Sequence, residues 1–473
     1  MFRPIRRFIQ DSAATVAFRY FWERTNPSFG RALSLYRQKL RWLNAPSAER
    51  ERMQQVRLIA LLNFAANFNP FYRERLRDSG FGTAREWSPE RFADVPPLLR
   101  RDLQECYAKL LSDSSDHRGW ERNSSGGSTG DPVNFMQDQE FREEAIATMY
   151  VSDTLQGWQP GSRRALLWGA PKDKLRLESA RDKMHYFLKN ERLYDSFDMS
   201  VEQMRSFHHN LTDFRPNVIL AYSSSIFLFA RFLKDAGLKP SYPLVSIISS
   251  AEMLTPAMRS EIESVFGVSV YDRYGSRELG CIASECEAHC SLHLHPSDHY
   301  VEVVDDAGVP VWDQPGRILV TLLTNRAMPL IRYEVGDLGV LTVGTCKCGR
   351  QGTMLKTILG RSSDFVVVSD GRLVHGEYFT HALYGVDGVK QFQFIQESLI
   401  EFRLLLVTAP GFPQSRVEKI KSEMLEVLGA RSRLTVEFCD AIPHSPSGKH
   451  RFTISKLDPA AYVAGDTLVR TNR

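Results

Sequence analysis

A short run of small residues between Asn123 and Pro132 has the composition of an anion-binding loop. Its sequence, NSSGGSTGDP, holds three glycines and four hydroxyl side chains. Glycines let backbone N–H groups converge on an anion without obstruction by a Cβ atom, and the hydroxyls add further donors. The polyphosphate of a nucleotide would suit such a loop, although a plain surface loop has the same composition. It is not a Walker A loop, because no Gly-Lys-Ser/Thr follows.

The bulk composition excludes several classes of protein. A chain of 473 residues is too long for one ordinary core, so we expect two or more domains. The net charge of +4 is too balanced for a nucleic-acid partner, and no apolar run is long enough for a membrane span. Seven cysteines, an odd number, with no signal peptide before them, indicate a reducing compartment, so we expect a cytoplasmic protein.

The N-terminal segment, residues 1–49, is predicted to be a basic helical extension. Apolar residues recur at helical spacing among the first arginines, from Phe2 to Ile9. Such a helix could make weak contact with an anionic membrane surface, dock a partner, or pack on its own domain. The oligomeric state does not follow from this pattern.

Strands and helices alternate between about residues 140 and 280. We predict strands at 164–168, 218–222 and 244–248, with helices through 227–233 and from Thr255 onwards. Residues 50–110 are predicted to be helical, with a break before Pro70. Alternation of this kind is typical of an α/β domain with a largely parallel sheet.

The pattern changes after residue 297. Strands at 300–304 and 317–323, joined through turns, predict an antiparallel sheet or a small barrel. After Arg361 the chain restarts with a strand at 365–368 and a helix near 415–428. We therefore predict a core domain over 50–361 and a separate α+β domain over 362–473.

Further motifs follow the glycine loop in a recognisable order. They are SSAE from Ser249 to Glu252, YDRYGSRE from Tyr271 to Glu278, PLIRYEVGD from Pro329 to Asp337, GRSSD from Gly360 to Asp364, and SPSGK from Ser445 to Lys449. Together they resemble the adenylate-forming ligase (ANL) superfamily, in particular its phenylacetate–CoA ligase branch with the CapK-like relatives. The resemblance spans residues 50 to 460.

The resemblance implies a fold and an activity. The fold would be α/β, with a large N-terminal domain of parallel-sheet layers and a small β-region, followed by a mobile α+β lid. A carboxylate would attack the α-phosphorus of ATP and expel pyrophosphate, and the resulting acyl-adenylate would pass its acyl group to coenzyme A. Catalysis would rest on positioning and charge neutralisation.

The resemblance also assigns roles to residues. Lys449 and Glu278 would be catalytic, with Glu278 holding Mg²⁺, a cation that favours carboxylate and phosphate oxygens. The remaining ATP-binding residues would be Ser125, Gly127, Ser128, Thr129, Gly130, Ala251, Glu252, Tyr274, Gly275, Asp337 and Arg361. Each has a structural alternative when taken singly, such as a helix cap at Glu278 or a turn at Asp337.

Three positions depart from the family pattern. Gly126 and Asp131 stand where a hydroxyl residue and a lysine are usual, and Arg277 replaces the serine or threonine before the glutamate. Asp131 removes a positive charge near the phosphates, whereas Arg277 would restore some charge if it points inward. These changes bear on efficiency more than on reaction class.

Two cysteine clusters have the composition of a closed structural zinc site. The resemblance favours Cys286, His293, Cys346 and Cys348 as ligands, with His289, Cys290 and His295 as competitors. Four protein ligands leave no open position for catalysis. Buried free thiols are the alternative interpretation.

The substrate and the acceptor stay open. An aromatic or arylacetic acid would suit an acyl pocket built from Trp168, Tyr222, Ser223 and Ser249, although ordinary sheet–helix packing explains the same residues. A carrier-protein thiol, an amine or a sugar could replace coenzyme A as acceptor. A catalytically degenerate nucleotide-binding protein is a further alternative, supported by Asp131 and Arg277 alone.

Overall fold

The computed structural model describes most of the chain between residues 31 and 457. The described residues are 31–79, 89–113, 117, 119–125, 133–159, 161–168, 186–187, 189–194, 196, 199, 201–361, 365–369, 373–375, 377–383, 386–442 and 452–457. They divide into a larger unit, which holds described residues up to 335 and residues 339–358, and a smaller unit of 336–338 and the described residues from 359.

Helices form the first part of the larger unit. They are α1 (Ala32–Leu43), α2 (Ser47–Phe68), α3 (Pro70–Asp78), α4 (Pro89–Ala93), α5 (Arg100–Glu105) and α6 (Tyr107–Leu110). The predicted break before Pro70 is confirmed, because Asn69 is extended and its side chain accepts hydrogen bonds from the first N–H groups of α3. None of the described helices is long and apolar enough to cross a membrane.

Helix α1 is an integral part of the larger unit. The Lys39 ammonium is buried and pairs with Glu144 on helix α7 (Gln139–Leu155) and with Asp298. A buried ammonium group needs ion-pair partners, and here the core of the larger unit supplies them. The larger unit thus includes residues 32–49, which the sequence pattern assigned to an extension, whereas the membrane contact predicted for the first residues lies outside the described residues.

One sheet of eleven strands organises the larger unit. Its strands are β3 (Arg164–Leu167), β4 (Glu191–Tyr194), β5 (Val218–Tyr222), β6 (Ser246–Ser250), β7 (Val270–Ser276), β8 (Gly280–Glu285), β9 (Leu292–Leu294), β10 (His299–Val304), β11 (Pro315–Leu322), β12 (Tyr333–Thr345) and β13 (Gln351–Arg361). They lie in the order β10-β11-β12-β13-β9-β8-β7-β6-β5-β3-β4.

The half of the sheet from β4 to β7 is parallel, as predicted. Helix α8 (Val201–Phe214) precedes β5, and helices α9 (Ser223–Asp235) and α10 (Pro256–Phe266) connect β5 to β6 and β6 to β7. Thr255 caps α10, since its hydroxyl accepts the N–H of Met258 at 3.1 Å. The carboxyl ends of parallel strands meet at one edge of a sheet, where α/β proteins bind ligands.

The strands that follow β7 continue the same sheet. Antiparallel pairs join β7 to β8, β8 to β9, β9 to β13 and β10 to β11. The predicted antiparallel region is therefore present, but it is not a separate barrel, because β8 pairs directly with β7 and carries the ladder onward.

A two-stranded hairpin, β1 (Glu121–Ser124) and β2 (Asn134–Gln137), flanks the glycine loop. Helix α7 starts directly after β2, and Asp138 caps it by accepting the N–H of Phe141 at 2.7 Å. The hairpin is thus tied to a long helix that packs against β8.

The smaller unit is a separate α/β assembly. Its four-stranded sheet has the order β18-β17-β16-β19, with β16 (Val389–Gln396) antiparallel to β17 (Glu401–Thr408) and parallel pairs at both edges, β18 (Arg433–Phe438) and β19 (Thr453–Ser455). It also holds the pair β14 (Phe365–Val367) and β15 (Leu373–His375), and helices α11 (Glu377–Leu383) and α12 (Gln414–Leu428). A separate cluster of buried apolar residues forms its core. The predicted α/β fold class, with a smaller C-terminal region, is confirmed.

Candidate functional site

Two residues predicted for the acyl pocket lie side by side at the carboxyl edge of the parallel strands. Trp168 follows β3 and Tyr222 ends β5, and their ring centroids are 4.2 Å apart with a tilt of 31°. Strands β3 and β5 pair in parallel, so the two positions come to the same edge. An aromatic surface therefore stands where this class of sheet binds ligands.

The two predicted serines of this pocket bond to each other. The Ser223 and Ser249 hydroxyl oxygens are 2.5 Å apart, and Ser223 donates to the carbonyl oxygen of Glu252 at 3.0 Å. Since a hydroxyl has one hydrogen, Ser249 must donate to Ser223. Both side chains are buried, and their role towards a substrate stays a prediction.

The carboxylate of Glu252 caps helix α9. It accepts the N–H of Ser224 at 2.9 Å and its hydroxyl at 2.6 Å, which satisfies donors at the start of that helix. Its second carboxylate oxygen, Oε1, is buried without a hydrogen bond to a described residue. The structure thus gives this residue a local function beside its predicted place at the adenine.

Ala251 adopts a left-handed backbone conformation directly after β6, with φ of 69°. Residues other than glycine visit this region rarely, at a cost of about 1–3 kcal/mol, and such positions cluster at functional sites. The turn that carries the predicted adenine-lining residues is therefore held in one shape by its surroundings.

Gly275 occupies a bulge between β7 and β8, where no side chain fits. A Cβ atom at this position would lie 2.3 Å from the carbonyl oxygen of Gly280. The neighbouring Tyr274 is only 8% exposed and packs in the main apolar cluster, so little of its ring faces outward. Its predicted contact with adenine stays a prediction.

Glu278 lies on the turn between β7 and β8. Its side chain is 7% exposed, and in the described part of the chain no hydrogen bond or ion pair reaches its carboxylate. A carboxylate with no partner among the described residues is available to a hard cation, which prefers oxygen ligands. The donor chemistry fits the predicted magnesium ligand.

Buried donors hold the peptide groups on both sides of Glu278. The amide of Gln137, on β2, donates to the carbonyl oxygen of Arg277 at 3.0 Å, and His299 Nε2 donates to that of Leu279 at 2.8 Å. The Arg277 side chain itself is exposed. The backbone of this turn is thus fixed, and the freedom that remains belongs to the Glu278 side chain.

The base of the glycine loop is closed by two hydrogen bonds. The Ser125 N–H donates to the carbonyl of Val133 at 2.8 Å, and the Val133 N–H donates to the Ser125 hydroxyl at 2.9 Å. Ser125 therefore anchors the loop at its stem. The predicted phosphate-binding residues Gly127, Ser128, Thr129 and Gly130, with the departures Gly126 and Asp131, lie outside the described residues.

Three predicted residues belong to the later part of the chain. Asp337 lies on β12, after Gly336 with φ of 88°, in the segment that groups with the smaller unit. Arg361 is the last residue of β13, and Lys449 lies outside the described residues. Their roles stay predictions.

A buried charged network supports β7 from helix α7. Asp153, which is fully buried, pairs with Arg164 on β3 and with Arg273 on β7, and Arg164 pairs also with Glu191 on β4. Gln156 accepts from Arg273 Nη2 at 2.8 Å. The network fixes the strand that leads into Tyr274 and Glu278.

Four metal-binding side chains converge where β8, β9 and the turn after β12 meet. The ligand atoms of Cys286, His293, Cys346 and Cys348 all lie within 4.8 Å of one another. The sulfurs of Cys286 and Cys346 are 3.7 Å apart, and Cys348 Sγ is 3.4 Å from His293 Nε2. Ligands of a tetrahedral zinc ion at about 2.0–2.3 Å would be about 3.5–3.8 Å apart. Burial and the nearby Arg350 lower the pKa of His293 to about 4, so its imidazole is neutral, as a ligand must be.

The three competing ligands have other partners. His289 Nδ1 lies 3.1 Å from a Glu285 carboxylate oxygen, and His295 Nε2 lies 3.1 Å from the Ser284 hydroxyl. Cys290 is exposed, and its thiol donates to the carbonyl of Ala288. The structure therefore brings together the four residues that the resemblance favoured.

Sequence motifs did not reveal the supporting residues of the site. Gln137, Asp153 and His299 belong to none of the recognised motifs. Gln137 contacts Arg277 across 140 positions, Asp153 contacts Arg273 across 120, and His299 contacts Leu279 across 20. The one local signal is the spacing of Asp153 and Gln156 on the last turn of α7, where polar residues face the core. Such a signal predicts a buried network but not its partners.

Known proteins resemble this chain over most of its length. The CapK C-terminal domain family model matches residues 366–456. Protein CapK of Staphylococcus aureus is 22% identical over 86% of this chain and 89% of its own length. A phenylacetate–coenzyme A ligase of Thermus thermophilus is 27% identical over 83% of this chain and 88% of its own length.

A solved structure has the same fold. The 2-hydroxyisobutyryl-CoA ligase in its postadenylation state, in complex with R3-HIB-AMP, matches with a TM-score of 0.70 and 22% identity over 88% of this chain and 91% of that one. The fold and the relatives agree with the motifs and their order. The predicted resemblance to the adenylate-forming superfamily, in the branch of CapK and the phenylacetate–CoA ligases, is therefore confirmed.

Proposed function

We propose that this protein is an AMP-forming acid–CoA ligase. A carboxylate oxygen attacks the α-phosphorus of ATP, the bond to the β-phosphate breaks, and pyrophosphate leaves an acyl-adenylate. The thiolate of coenzyme A then attacks the acyl carbon, and AMP leaves with the bonding electrons. Ligation of phenylacetate to coenzyme A is the activity named for the phenylacetate–CoA ligase relatives. Cysteines without disulfides and these substrates favour the cytoplasm.

The Glu278 turn is the observation that carries the proposal. The residue is 7% exposed, its carboxylate has no partner among the described residues, and it lies on a turn bonded to the hairpin that bears the glycine loop. Mg²⁺, when bound there, would neutralise phosphate charge. Glu278 would hold the ion, and Ser128, Thr129 and Gly130 would bind the β- and γ-phosphates.

The remaining roles follow the family motifs. Lys449 would supply positive charge to the α-phosphate and the attacking carboxylate. Asp337 would accept hydrogen bonds from the ribose hydroxyls, and Arg361 would contact the ribose at the junction of the two domains. A division of the chain at Arg361 into a core domain and a mobile lid over 362–473 is part of this proposal.

An aromatic or arylacetic acid is the substrate class that we propose. The tilted pair lies at the carboxyl edge of β3 and β5, where Trp168 is partly exposed and Tyr222 is buried behind it. Aromatic side chains recognise aromatic ligands through offset or edge-to-face contact. A panel of aryl, arylacetic and short aliphatic acids in a pyrophosphate-release assay tests this class.

We also propose a structural zinc ion in the cluster of Cys286, His293, Cys346 and Cys348. Two distances between ligand atoms, 3.7 and 3.4 Å, match those of a tetrahedral site, all four atoms lie within 4.8 Å of one another, and all four positions would be protein ligands. The ion would tie the chain after β8 to the turn after β12, and it would take no part in adenylation.

The decisive experiment is carboxylate-dependent exchange of labelled pyrophosphate into ATP, followed by AMP release with and without coenzyme A. Exchange with a member of the acid panel is expected. Lys449→Ala should lower exchange about 100-fold or more without loss of folding, whereas Lys419→Ala, on an exposed face of α12, should not. No exchange with any acid would favour the degenerate nucleotide-binding protein.

A second acceptor is the alternative within the same chemistry. A carrier-protein thiol, an amine or a sugar would then replace coenzyme A, and the motivation is that this chain resembles CapK as well as the CoA ligases. Both versions share pyrophosphate exchange. AMP release that needs an amine or a sugar and ignores coenzyme A would select this alternative.

A further inference from the structure

Gln137 touches both the hairpin that bears the glycine loop and the turn that bears Glu278. It is the last residue of β2, and its side chain is 6% exposed. Its Nε2 lies 3.0 Å from the carbonyl oxygen of Arg277, and its Oε1 lies 3.2 Å from Asn123 Nδ2 on β1. A carbonyl oxygen only accepts, so the amide nitrogen must face Arg277 and the amide oxygen must face Asn123.

The two ends of this bridge are otherwise separate in the sequence. Asn123 and Gln137 flank the glycine loop, whereas Arg277 lies 140 positions after Gln137 and immediately before Glu278. On the other side of Glu278, His299 holds the carbonyl of Leu279 at 2.8 Å. The two residues next to Glu278, Arg277 and Leu279, therefore each have a carbonyl oxygen held by a buried donor.

We propose that Gln137 is a positioning residue that couples the glycine loop to the Glu278 carboxylate. This inference rests on the proposed function, in which the loop binds phosphates and Glu278 binds the Mg²⁺ on the same phosphates. The ion can join both partners only if the distance between loop and carboxylate is held. The Asn123–Gln137–Arg277 bridge sets that distance through one side chain.

The loss of this bridge should selectively weaken the effect of Mg²⁺ on ATP affinity. Without the amide donor, the Arg277 carbonyl loses its buried partner and the turn relaxes. The loop keeps its stem bonds at Ser125, so ATP alone would still bind. The contribution of Mg²⁺ to ATP affinity would fall, because the carboxylate no longer stands at the required distance.

The test measures ATP affinity by calorimetry in EDTA and in saturating Mg²⁺, on the full-length chain. The ratio of the two dissociation constants is the Mg²⁺ enhancement. Gln137→Met, which keeps the length and removes both hydrogen bonds, should lower this enhancement by about tenfold, with affinity in EDTA unchanged. Gln139→Met is the matched control, since that exposed side chain bonds only to Glu143 on α7 and should leave the enhancement unchanged.

Two further variants keep the inference testable. If Gln137→Met does not fold, Asn123→Ala removes the brace at a half-exposed strand position and should lower the enhancement about threefold. Wild-type enhancement in whichever of these variants folds would overturn the inference. Glu278→Gln separates the two claims. If Glu278→Gln keeps the Mg²⁺ enhancement as well, the magnesium role in the proposed function fails. If Glu278→Gln loses the enhancement while the Gln137 and Asn123 variants keep it, only the coupling by Gln137 fails.

Discussion

Replacement of Asp153 by asparagine should be among the most destabilising single changes in the larger unit. The carboxylate is fully buried between the guanidinium groups of Arg164 and Arg273. Asparagine has the same shape, so the change removes one charge and leaves packing intact. Arg164 would keep Glu191, whereas Arg273 would keep only the neutral side chain of Gln156.

The magnitude follows from the charges that remain. Two unit charges 4 Å apart interact by about 4 kcal/mol at an effective dielectric constant of about 20. Asp153 has two such interactions, and the relief of its own desolvation offsets part of the loss. Removing one partner of a buried ion pair costs about 3–5 kcal/mol, and we expect this range for Asp153→Asn. That is a large part of the 5–15 kcal/mol that typically stabilises a domain.

Urea unfolding, monitored by tryptophan fluorescence, measures the stability of the larger unit. All seven tryptophans precede residue 313, so their emission reports only the larger unit. Asp113→Asn is the matched control, because its pair with Arg73 is exposed and should contribute less than about 1 kcal/mol. Equal, small losses in both variants would refute the reasoning.

A second substitution checks the cause. If the loss comes from an unpaired buried guanidinium, Arg273→Met should cost less in the Asp153→Asn background than in the wild type. The two free-energy changes would then be strongly non-additive. Additive changes would mean that Asp153 and Arg273 act independently, contrary to the geometry of the pair.

The other predictions concern the bulge, the metal cluster and acid stability. Gly275→Ala should destabilise the larger unit by about 1–3 kcal/mol in the same urea assay, because its Cβ would lie 2.3 Å from a backbone carbonyl oxygen. Gly344→Ala, with open space around it, should change stability little, and equal effects of the two variants would contradict the close approach. Elemental analysis should find about one zinc per chain, lost with several degrees of thermal stability in Cys346→Ser but kept in the exposed Cys290→Ser, whereas wild-type protein without zinc would favour free thiols. Burial lowers the pKa of His295 to about 3 from an ordinary 6.5, so between these values the unfolded state binds the proton and stability falls as pH falls. The wild type should therefore lose about 2 kcal/mol more unfolding free energy than His295→Asn between pH 6.5 and 5. Parallel pH profiles of the two proteins would show that this imidazole is not the cause.

The sequence alone determined the features that depend on neighbouring residues. The Asn69–Pro70 break, the Thr255 cap and the parallel strands around 164, 218 and 246 follow from short-range geometry. The order of the motifs indicated the resemblance to the adenylate-forming ligases, which the relatives and the fold support. The lid residues and the phosphate-binding residues of the loop stay predictions on that basis.

Only the tertiary structure decided which distant residues act together. The choice of His293 over His295 depends on sheet pairing, because His293 on β9 pairs with Met354 on β13, whereas His295 lies beyond β9 and contacts the Ser284 hydroxyl. The hydrogen bond from Gln137 to Arg277 likewise spans 140 positions, and no local sequence pattern pairs these two residues. Hydrogen bonds and ion pairs of this range depend on sheet order and register, which arise from the burial of many side chains together. A local pattern can therefore indicate that a polar residue is buried, but only the folded chain supplies its partner.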